Sequence, residues 1–337
     1  VTTTDEQLPS RGPGNRSDAQ AAAELANHLA AVQANIETVI QGKRDVVHLL
    51  MIALVSEGHV LIEDVPGVGK TTLAKALARS IDGRFGRVQF TPDLLPSDVT
   101  GMSVWNRATN TFDFRPGPVF AEILLADEIN RASPKTQSAL LEAMAEKQVT
   151  ADGVTHRLGS SFMVIATQNP IEHEGTYPLP EAQLDRFLMR IAVGYPERES
   201  ERLMLSTHAG SSDGVESLTA VTSSKALSQI AFAISRVHVA EPLANYLLDI
   251  AVATRRHSSL SLGLSPRGLL DLQRASRAQA ASQGRGFVIP DDVKTMAPFV
   301  LPHRLIVSPE STLRGTRPGD VVAEVLDGVP VPRPAAR

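Results

Sequence analysis

No cysteine occurs anywhere in the 337 residues. That absence removes disulfides, thiolate zinc sites, iron–sulfur clusters and thiol nucleophiles together, so the chemistry here must run on oxygen and nitrogen groups. Aromatics are scarce too, with Phe 10, Tyr 3 and Trp 1. Neither charge dominates: 33 Lys plus Arg face 37 Asp plus Glu, for a net charge of −4. This balance argues against a chain whose main task is to coat DNA or RNA, because counterion release needs clustered positive charge. Long apolar runs are missing as well. The most apolar stretch, residues 48–62, is broken by Glu57, Gly58 and His59, well short of the ~20 apolar residues that cross a bilayer. Residues 1–18 are polar, hold Gly, Pro and Ser, and lack the apolar centre of a signal peptide. The expected compartment is the cytoplasm, with no membrane span.

What is present is ordinary globular material, 42% hydrophobic and 21% charged. At roughly 150 residues per domain the length suits about two domains. Leu25, Leu29, Val32, Ile36 and Val39 recur at spacings of three and four, which predicts an amphipathic helix, and a second helix fits residues 45–56. Residues 59–63 form a short apolar run that stops at Pro66-Gly67, and helical spacing returns over 71–80. Strand, glycine turn and helix open an α/β nucleotide domain.

Further apolar runs at 87–90, 121–126, 162–167 and 187–193 lack alternation, as strands covered on both faces do. Two inserts interrupt them, each predicted as a hairpin: 102–105 with 111–114, and 148–150 with 154–157 around Asp152-Gly153. After Tyr195-Pro196 strands are expected to end, and helices fit 197–207, 224–235, 242–256, 266–282 and 290–300. The predicted division is a disordered segment over 1–18, an α/β nucleotide-binding core over 19–196, an all-α lid over 197–308 and a Pro/Gly-rich tail over 309–337.

The chemistry concentrates in two places. Pro66-Gly67-Val68-Gly69-Lys70-Thr71-Thr72 stands between predicted strand and predicted helix, where a phosphate-binding loop belongs. Gly67 and Gly69 let backbone N–H groups converge on phosphate oxygens, Lys70 offers a point charge, and the Thr71 hydroxyl can ligate Mg²⁺. Asp64 stands where the usual pattern has its first glycine. The second place is Ile123-Leu124-Leu125-Ala126-Asp127-Glu128. An apolar strand ending in two carboxylates puts one where it holds Mg²⁺ through water and another where it polarises the attacking water. Together they predict a site that hydrolyses ATP rather than only binding it, because a passive binder has no need of Glu128.

Residues 121–150, the segment FMVIATQNP (162–170), LPEAQLDRFLMRI (179–191) and SPRGLL (265–270) together closely resemble the MoxR family of AAA+ ATPases. The resemblance runs over about residues 20–305 and tolerates Asp64. It implies an AAA+ parallel αβα core carrying a helix-2 insert (101–116) and a pre-sensor-1 hairpin (147–158), followed by the helical lid. By resemblance Asn169 is sensor 1, helping Glu128 hold water. Arg186 is the arginine finger that reaches the γ-phosphate of a neighbouring subunit, with Arg190 as alternative. Arg267 is sensor 2, expected to contact the γ-phosphate in cis, and residues 39–41 cradle adenine. Trp105, Phe112 and Phe114 either pack the hairpin or touch a client.

The implied cofactors are ATP and Mg²⁺. The implied partners are further copies of the chain, as a hexamer, and a client protein, often one with a von Willebrand factor A domain. The implied work is chaperone-like remodelling or metal-cofactor insertion. Two other readings stay open: a nucleic-acid-stimulated motor, against which the net charge of −4 counts, and a nucleotide-gated regulatory module, against which the want of an appended DNA-binding element counts. The lid's basic residues, among them Arg236, Arg255, Arg256, Arg274, Arg277 and Arg285, are expected to face nucleotide and an acidic neighbour. Glu172-His173-Glu174 reads as a solvated loop rather than a metal site.

Overall fold

The structure, a computed structural model, describes residues 16–169, 175–207 and 214–332. Residues 1–15, most of the segment expected to be disordered, lie outside it, as do Glu172, His173 and Glu174. Along the core run α1 (Arg16–Glu37), α2 (Arg44–Val55), β1 (Val60–Glu63), α3 (Lys70–Ser80), β2 (Phe85–Gln89), α4 (Pro96–Thr100), β3 (Gly101–Asn106) and β4 (Thr111–Pro116). Then come β5 (Ile123–Asp127), α5 (Pro134–Glu146), β6 (Gln148–Ala151), β7 (Val154–Arg157), β8 (Met163–Gln168), α6 (Glu181–Leu184) and β9 (Met189–Ile191). The remaining elements are α7 (Arg198–Thr207), α8 (Ser224–Ser235), α9 (Glu241–Arg256), β10 (Leu260–Leu262), α10 (Pro266–Ser282), α11 (Pro290–Val300), β11 (Ile306–Val307), α12 (Pro309–Leu313) and α13 (Pro318–Gly328).

Five strands form one parallel sheet in the order β2-β5-β8-β1-β9. Their want of alternation has the expected cause. Val60, Ile62, Ile123, Leu125, Met163 and Ile165 point into one apolar cluster with α1, α2 and α3. Leu61, Leu124, Ala126, Val164 and Ala166 point into the other, against Leu140, Leu141 and Met144 of α5. A strand buried on both faces has no polar side to alternate with. Parallel pairing also brings all strand C-termini to one edge, where loops gather.

The first cluster does not stop at the core. It continues through Leu227, Ile230, Leu243, Ile250 and Leu272 of the lid helices, and α10 packs on α1 and α2. Both hairpins form as antiparallel pairs, β3 with β4 and β6 with β7. Phe114 stacks on His156 of β7, centroids 3.9 Å apart at 13°. Trp105 meets Phe112 edge-on at 5.1 Å, and these two stay 47% and 71% exposed. Phe114 is therefore hairpin packing, while the other two rings stand at the tip.

Two expectations need correcting. Strands do not end at 196, because Leu260 pairs with Val307 and Leu262 with Ile306 in a small antiparallel sheet of the lid. Strands of two and three residues are too short to show a period. Nor is 309–332 a loose tail: α12 and α13 form there, and Val321, Val322, Val325 and Leu326 are buried against the lid. Pro309 and Pro318 stand in the first turn of these helices, where a missing N–H costs nothing, so they start helices rather than break them. Among the described residues no helix is long and apolar enough to cross a membrane.

Candidate functional site

The loop after β1 is shaped by two left-handed glycines, Gly67 and Gly69, both at φ +85°. A Cβ at either would meet nothing within 4 Å, so glycine is required there by backbone conformation, and the space over the loop is open. Gly69 caps α3, which begins at Lys70 and aims its free N–H groups and positive end into that space. Thr71 and Thr72 occupy its first turn, half-buried, and Val68 packs on the apolar cluster below. Lys70 Nζ donates to the main-chain oxygen of Asp64 at 2.9 Å. Burial pushes the Lys70 ammonium below the usual lysine range, while the carboxylates of Asp64, Asp127 and Glu128 oppose that shift. All three acids therefore lie within electrostatic reach of the loop's lysine.

At the same edge of the sheet β5 ends in Asp127. Its Oδ1 accepts from Thr167 Oγ1 at 2.6 Å and its Oδ2 from Arg87 Nη2 at 2.8 Å. Glu128 follows in the left-handed region, φ +56° and ψ +49°, so the chain turns sharply out of the strand. For a residue with a Cβ that conformation costs on the order of 1–3 kcal/mol and persists only where its surroundings impose it. Here the Glu128 N–H donates to Thr167 Oγ1 at 2.9 Å, and Glu128 Oε2 accepts from Gln89 Nε2 at 2.8 Å and Arg131 Nη1 at 3.0 Å. Asn169 follows the last residue of β8 and is 8% exposed. The phosphate loop, Asp127, Glu128 and Asn169 thus gather at one edge, from β1, β5 and β8.

Thr167, Gln89 and Arg131 were not found from sequence. Thr167 precedes Asn169 in an apolar run and reads there as one more strand residue, although a buried hydroxyl in such a run asks for a partner.

Neither Arg186 nor Arg267 joins that edge. Arg186 comes before β9, whose first residue Met189 registers with Val60, the first residue of β1. The phosphate loop follows the last residue of β1, so Arg186 stands at the opposite edge, where it donates to the Leu141 main-chain oxygen. Arg190 is committed within the sheet to Glu63 Oε2, 3.1 Å away.

The expected cis contact of Arg267 with its own phosphate site is not what the structure has. Its helix α10 begins beside Arg186: the capping Ser265 Oγ accepts from Gly268 N at 3.0 Å and reaches both Asp185 carboxylate oxygens at 3.1 Å. Arg267 itself is exposed and makes no hydrogen bond or ion pair among the described residues. Arg304 fastens this junction. It is 1% exposed in its side chain, lies 2.9 Å from Asp185 Oδ1, and also pairs with Asp271 of α10. It further donates to the main-chain oxygens of Phe187, Leu188 and Val300 at 2.8, 3.1 and 2.6 Å.

The residues present fit ATP and Mg²⁺. Gln41 Oε1, in the 39–41 segment expected to cradle adenine, is buried with no hydrogen-bond partner, and an exocyclic amino group is the donor it lacks. No cluster of three or more His, Asp or Glu among the described residues would hold a metal alone. A single hydroxyl and a single carboxylate suit Mg²⁺, which keeps several waters and shares its shell with substrate phosphates.

Comparison with known proteins agrees with this geometry. Residues 59–189 match the ATPase family associated with various cellular activities (AAA), and residues 252–325 match the AAA lid domain. The chain is 50% identical over 298 residues to YeaC of Bacillus subtilis, covering 88% of this chain and 93% of that protein. It is 42% identical over 307 residues to the chaperone MoxR1 of Mycobacterium tuberculosis, covering 88% and 81%. It is 34% identical over 300 residues to MoxR of Paracoccus denitrificans, covering 82% and 88%. A crystal structure from Cytophaga hutchinsonii superposes with a TM-score of 0.88 at 36% identity, covering 94% of this chain and 99% of the other.

Proposed function

The chain belongs to the MoxR family of AAA ATPases, and from that premise we propose that it hydrolyses ATP at a site shared between neighbouring copies and uses the cycle to remodel a partner protein. The observation that carries this reading is the split of the candidate site residues between two edges. Lys70, Asp127, Glu128 and Asn169 gather at one edge, while Arg186 and Arg267 stand together at the other.

A single copy holds everything needed to bind and orient the nucleotide and to activate water. The N–H groups of residues 67–72 and the Lys70 ammonium hold the β- and γ-phosphates, and Gln41 Oε1 takes the adenine amino group. Thr71 and Asp127 hold Mg²⁺, which when bound supplies charge neutralisation between the phosphates. Glu128 accepts the proton of the attacking water once its carboxylate turns from Gln89 and Arg131, and Asn169 orients that water.

Arg87 and Arg131 of the same copy are already paired with Asp127 and Glu128, so the cation opposite the developing charge on the γ-phosphate comes from elsewhere in the assembly. Arg186 and Arg267 of the next copy supply it, and such a contribution is worth ~10³ or more in rate. This arrangement repeats from copy to copy, so the assembly closes as a ring, read here as a hexamer. The exposed rings of Trp105 and Phe112 form the surface offered to a client, and the likeness to MoxR1, a chaperone, supports remodelling as the work.

Two variants test the site. A Lys70→Ala protein is expected to lose ATP affinity by ~100-fold or more, measured by titration with a fluorescent nucleotide; unchanged affinity would remove the loop from the account. A Glu128→Gln protein is expected to keep that affinity and lose at least ~100-fold in turnover, and near-normal phosphate release would show that another group activates water.

A further inference from the structure

The substitution of Asp for glycine at position 64 leaves a buried carboxylate beside the phosphate loop, and its partners are unexpected. Asp64 is 9% exposed. Oδ1 accepts from the next N–H, of Val65, at 2.8 Å. Oδ2 reaches across to the segment after β9 and accepts from the N–H groups of Val193, at 2.7 Å, and Gly194. The same segment is held on its acceptor side by a second ion. Lys43 Nζ donates to the main-chain oxygens of Val193 and Tyr195, at 2.7 and 2.6 Å. Residues 193–195 lie within the connector from the last core strand to α7, the first lid helix. Past the end of β9 its backbone has no strand to pair with, and two ionised side chains satisfy it instead.

We propose that Asp64 and Lys43 are positioning residues that clamp this connector from both ends of the nucleotide pocket and transmit nucleotide occupancy to the lid. The phosphate end is Asp64: its carbonyl holds Lys70 Nζ while its carboxylate holds the connector. Phosphates compete for Lys70, so binding removes a charged donor from the very peptide that carries the clamp. The base end is the run Gln41-Gly42-Lys43. Gln41 Oε1 is the partnerless acceptor assigned to adenine. Gly42 is left-handed at φ +70° and pressed onto α7 so closely that a Cβ there would lie 2.2 Å from Ser200 Oγ. Gly194 is left-handed as well, at φ +65°, with only the Lys43 ammonium near its missing Cβ, so the connector's bend depends on the clamp rather than on packing. A glycine at 64 would make the same loop and none of these bonds.

This inference rests on the nucleotide site proposed above, and the experiment separates the two. Amide hydrogen exchange of the full-length chain is followed by mass spectrometry for the peptide spanning 193–195, without nucleotide and with the Mg²⁺ complex of a non-hydrolysable ATP analogue. In the nucleotide-free state Asp64→Gly is expected to speed exchange at Val193 and Gly194 by ~10-fold or more, the effect of losing charge-assisted bonds. Lys43→Met, at a half-buried position that tolerates an apolar side chain, is expected to do the same, and Lys43→Arg, which keeps the donors, to restore protection.

The analogue is expected to change exchange at the connector by ~3-fold or more in the wild type and not in Asp64→Gly or Lys43→Met. Both variants are expected to hold ATP within ~3-fold of wild-type affinity while kcat falls by ~10-fold, the split of a positioning role. Wild-type exchange at 193–195 in both variants, or a nucleotide response that survives them, would overturn the clamp. Retained ATP binding by Lys70→Ala would instead overturn the nucleotide site, and the nucleotide-free comparison would still read the clamp.

Discussion

Glu128, the proposed water-activating base, shows how much such a position owes to residues outside the reaction itself. Its left-handed backbone is held by the Thr167 hydroxyl, which donates to Asp127 while accepting from the Glu128 N–H. Asp127 and Glu128 were legible because two acids after an apolar run, downstream of a phosphate loop, have few structural uses. Thr167 was not, because its role exists only once β5 and β8 lie side by side. Thr167→Val, nearly equal in volume, is therefore expected to lower turnover by ~10-fold or more while ATP affinity changes little, since it unlatches the Asp127 carboxylate and the Glu128 backbone at once. Steady-state kinetics with nucleotide titration checks this.

His59 gives a residue-scale prediction about stability. It precedes β1, fully within the core, with Nδ1 accepting from Val164 N at 3.0 Å and Nε2 donating to the Met144 oxygen at 3.2 Å. Burial holds its pKa down to about 4, against 6.5 for the unperturbed group. Between those two values the unfolded chain binds a proton that the folded chain refuses. Stability is therefore lost as pH falls from 6.5 towards 4, by a total of about 3 kcal/mol from this one group. His303, buried against Phe187 and beside Arg304, shifts in the same direction. The thermal midpoint of the wild type is expected to fall across this window, and the slope to be shallower in His59→Asn. Equal slopes would show that other groups govern the acid limb.

At the scale of elements, helices were legible wherever their apolar spacing or a proline near the start marked them. Ser223 and Ser265 cap α8 and α10 through the N–H groups of Ala226 and Gly268. The misread elements have a common cause in chain distance. β10 and β11 are separated by all of α10 and α11, and α13 is recognisable as packed only when Val321 and Val325 meet the rest of the lid. The lid's basic residues were expected to face nucleotide and a neighbour, yet several are structural. Arg285 forms a two-pronged pair with Asp292 at 2.6 and 2.7 Å, Arg274 pairs with Asp271, and Arg255 holds the Leu264 oxygen at 2.8 Å.

Arg304 matters most at this scale, because it ties the Asp185–Arg186 turn to the helix that carries Arg267. Removing one partner of a buried ionic cluster leaves its acids uncompensated. Arg304→Met is accordingly expected to destabilise the fold by about 3–5 kcal/mol, read from a urea unfolding midpoint with an unchanged slope.

At the scale of the whole molecule, one copy has a nucleotide edge and an arginine edge that do not meet within the same chain. Sequence pattern alone pointed to the phosphate loop and to Asp127 and Glu128, whereas Asn169, Arg186 and Arg267 were singled out only by the resemblance to the family. The cis contact that the resemblance implied for Arg267 differs from its place beside Arg186, because where a lid helix docks is decided by buried contacts such as Arg304 with Asp185 and Asp271, which local pattern does not reveal. The lid also shares one apolar cluster with α1 and α2, so motion between lid and core must pass through packed side chains as well as through the 193–195 connector. The proposed ring, in which each copy completes its neighbour's site, is the assembly that these two edges suit.

The most direct test of that assembly mixes two inactive proteins. Glu128→Gln copies lack the base and keep Arg186; Arg186→Ala copies keep the base and lack the arginine. In a randomly mixed ring about a quarter of interfaces at equal ratio combine an intact base with an intact arginine. The account predicts that ATP turnover, near zero for either protein alone, rises on mixing and peaks near equal proportions. Turnover that stays at the level of the separate proteins at every ratio would contradict it.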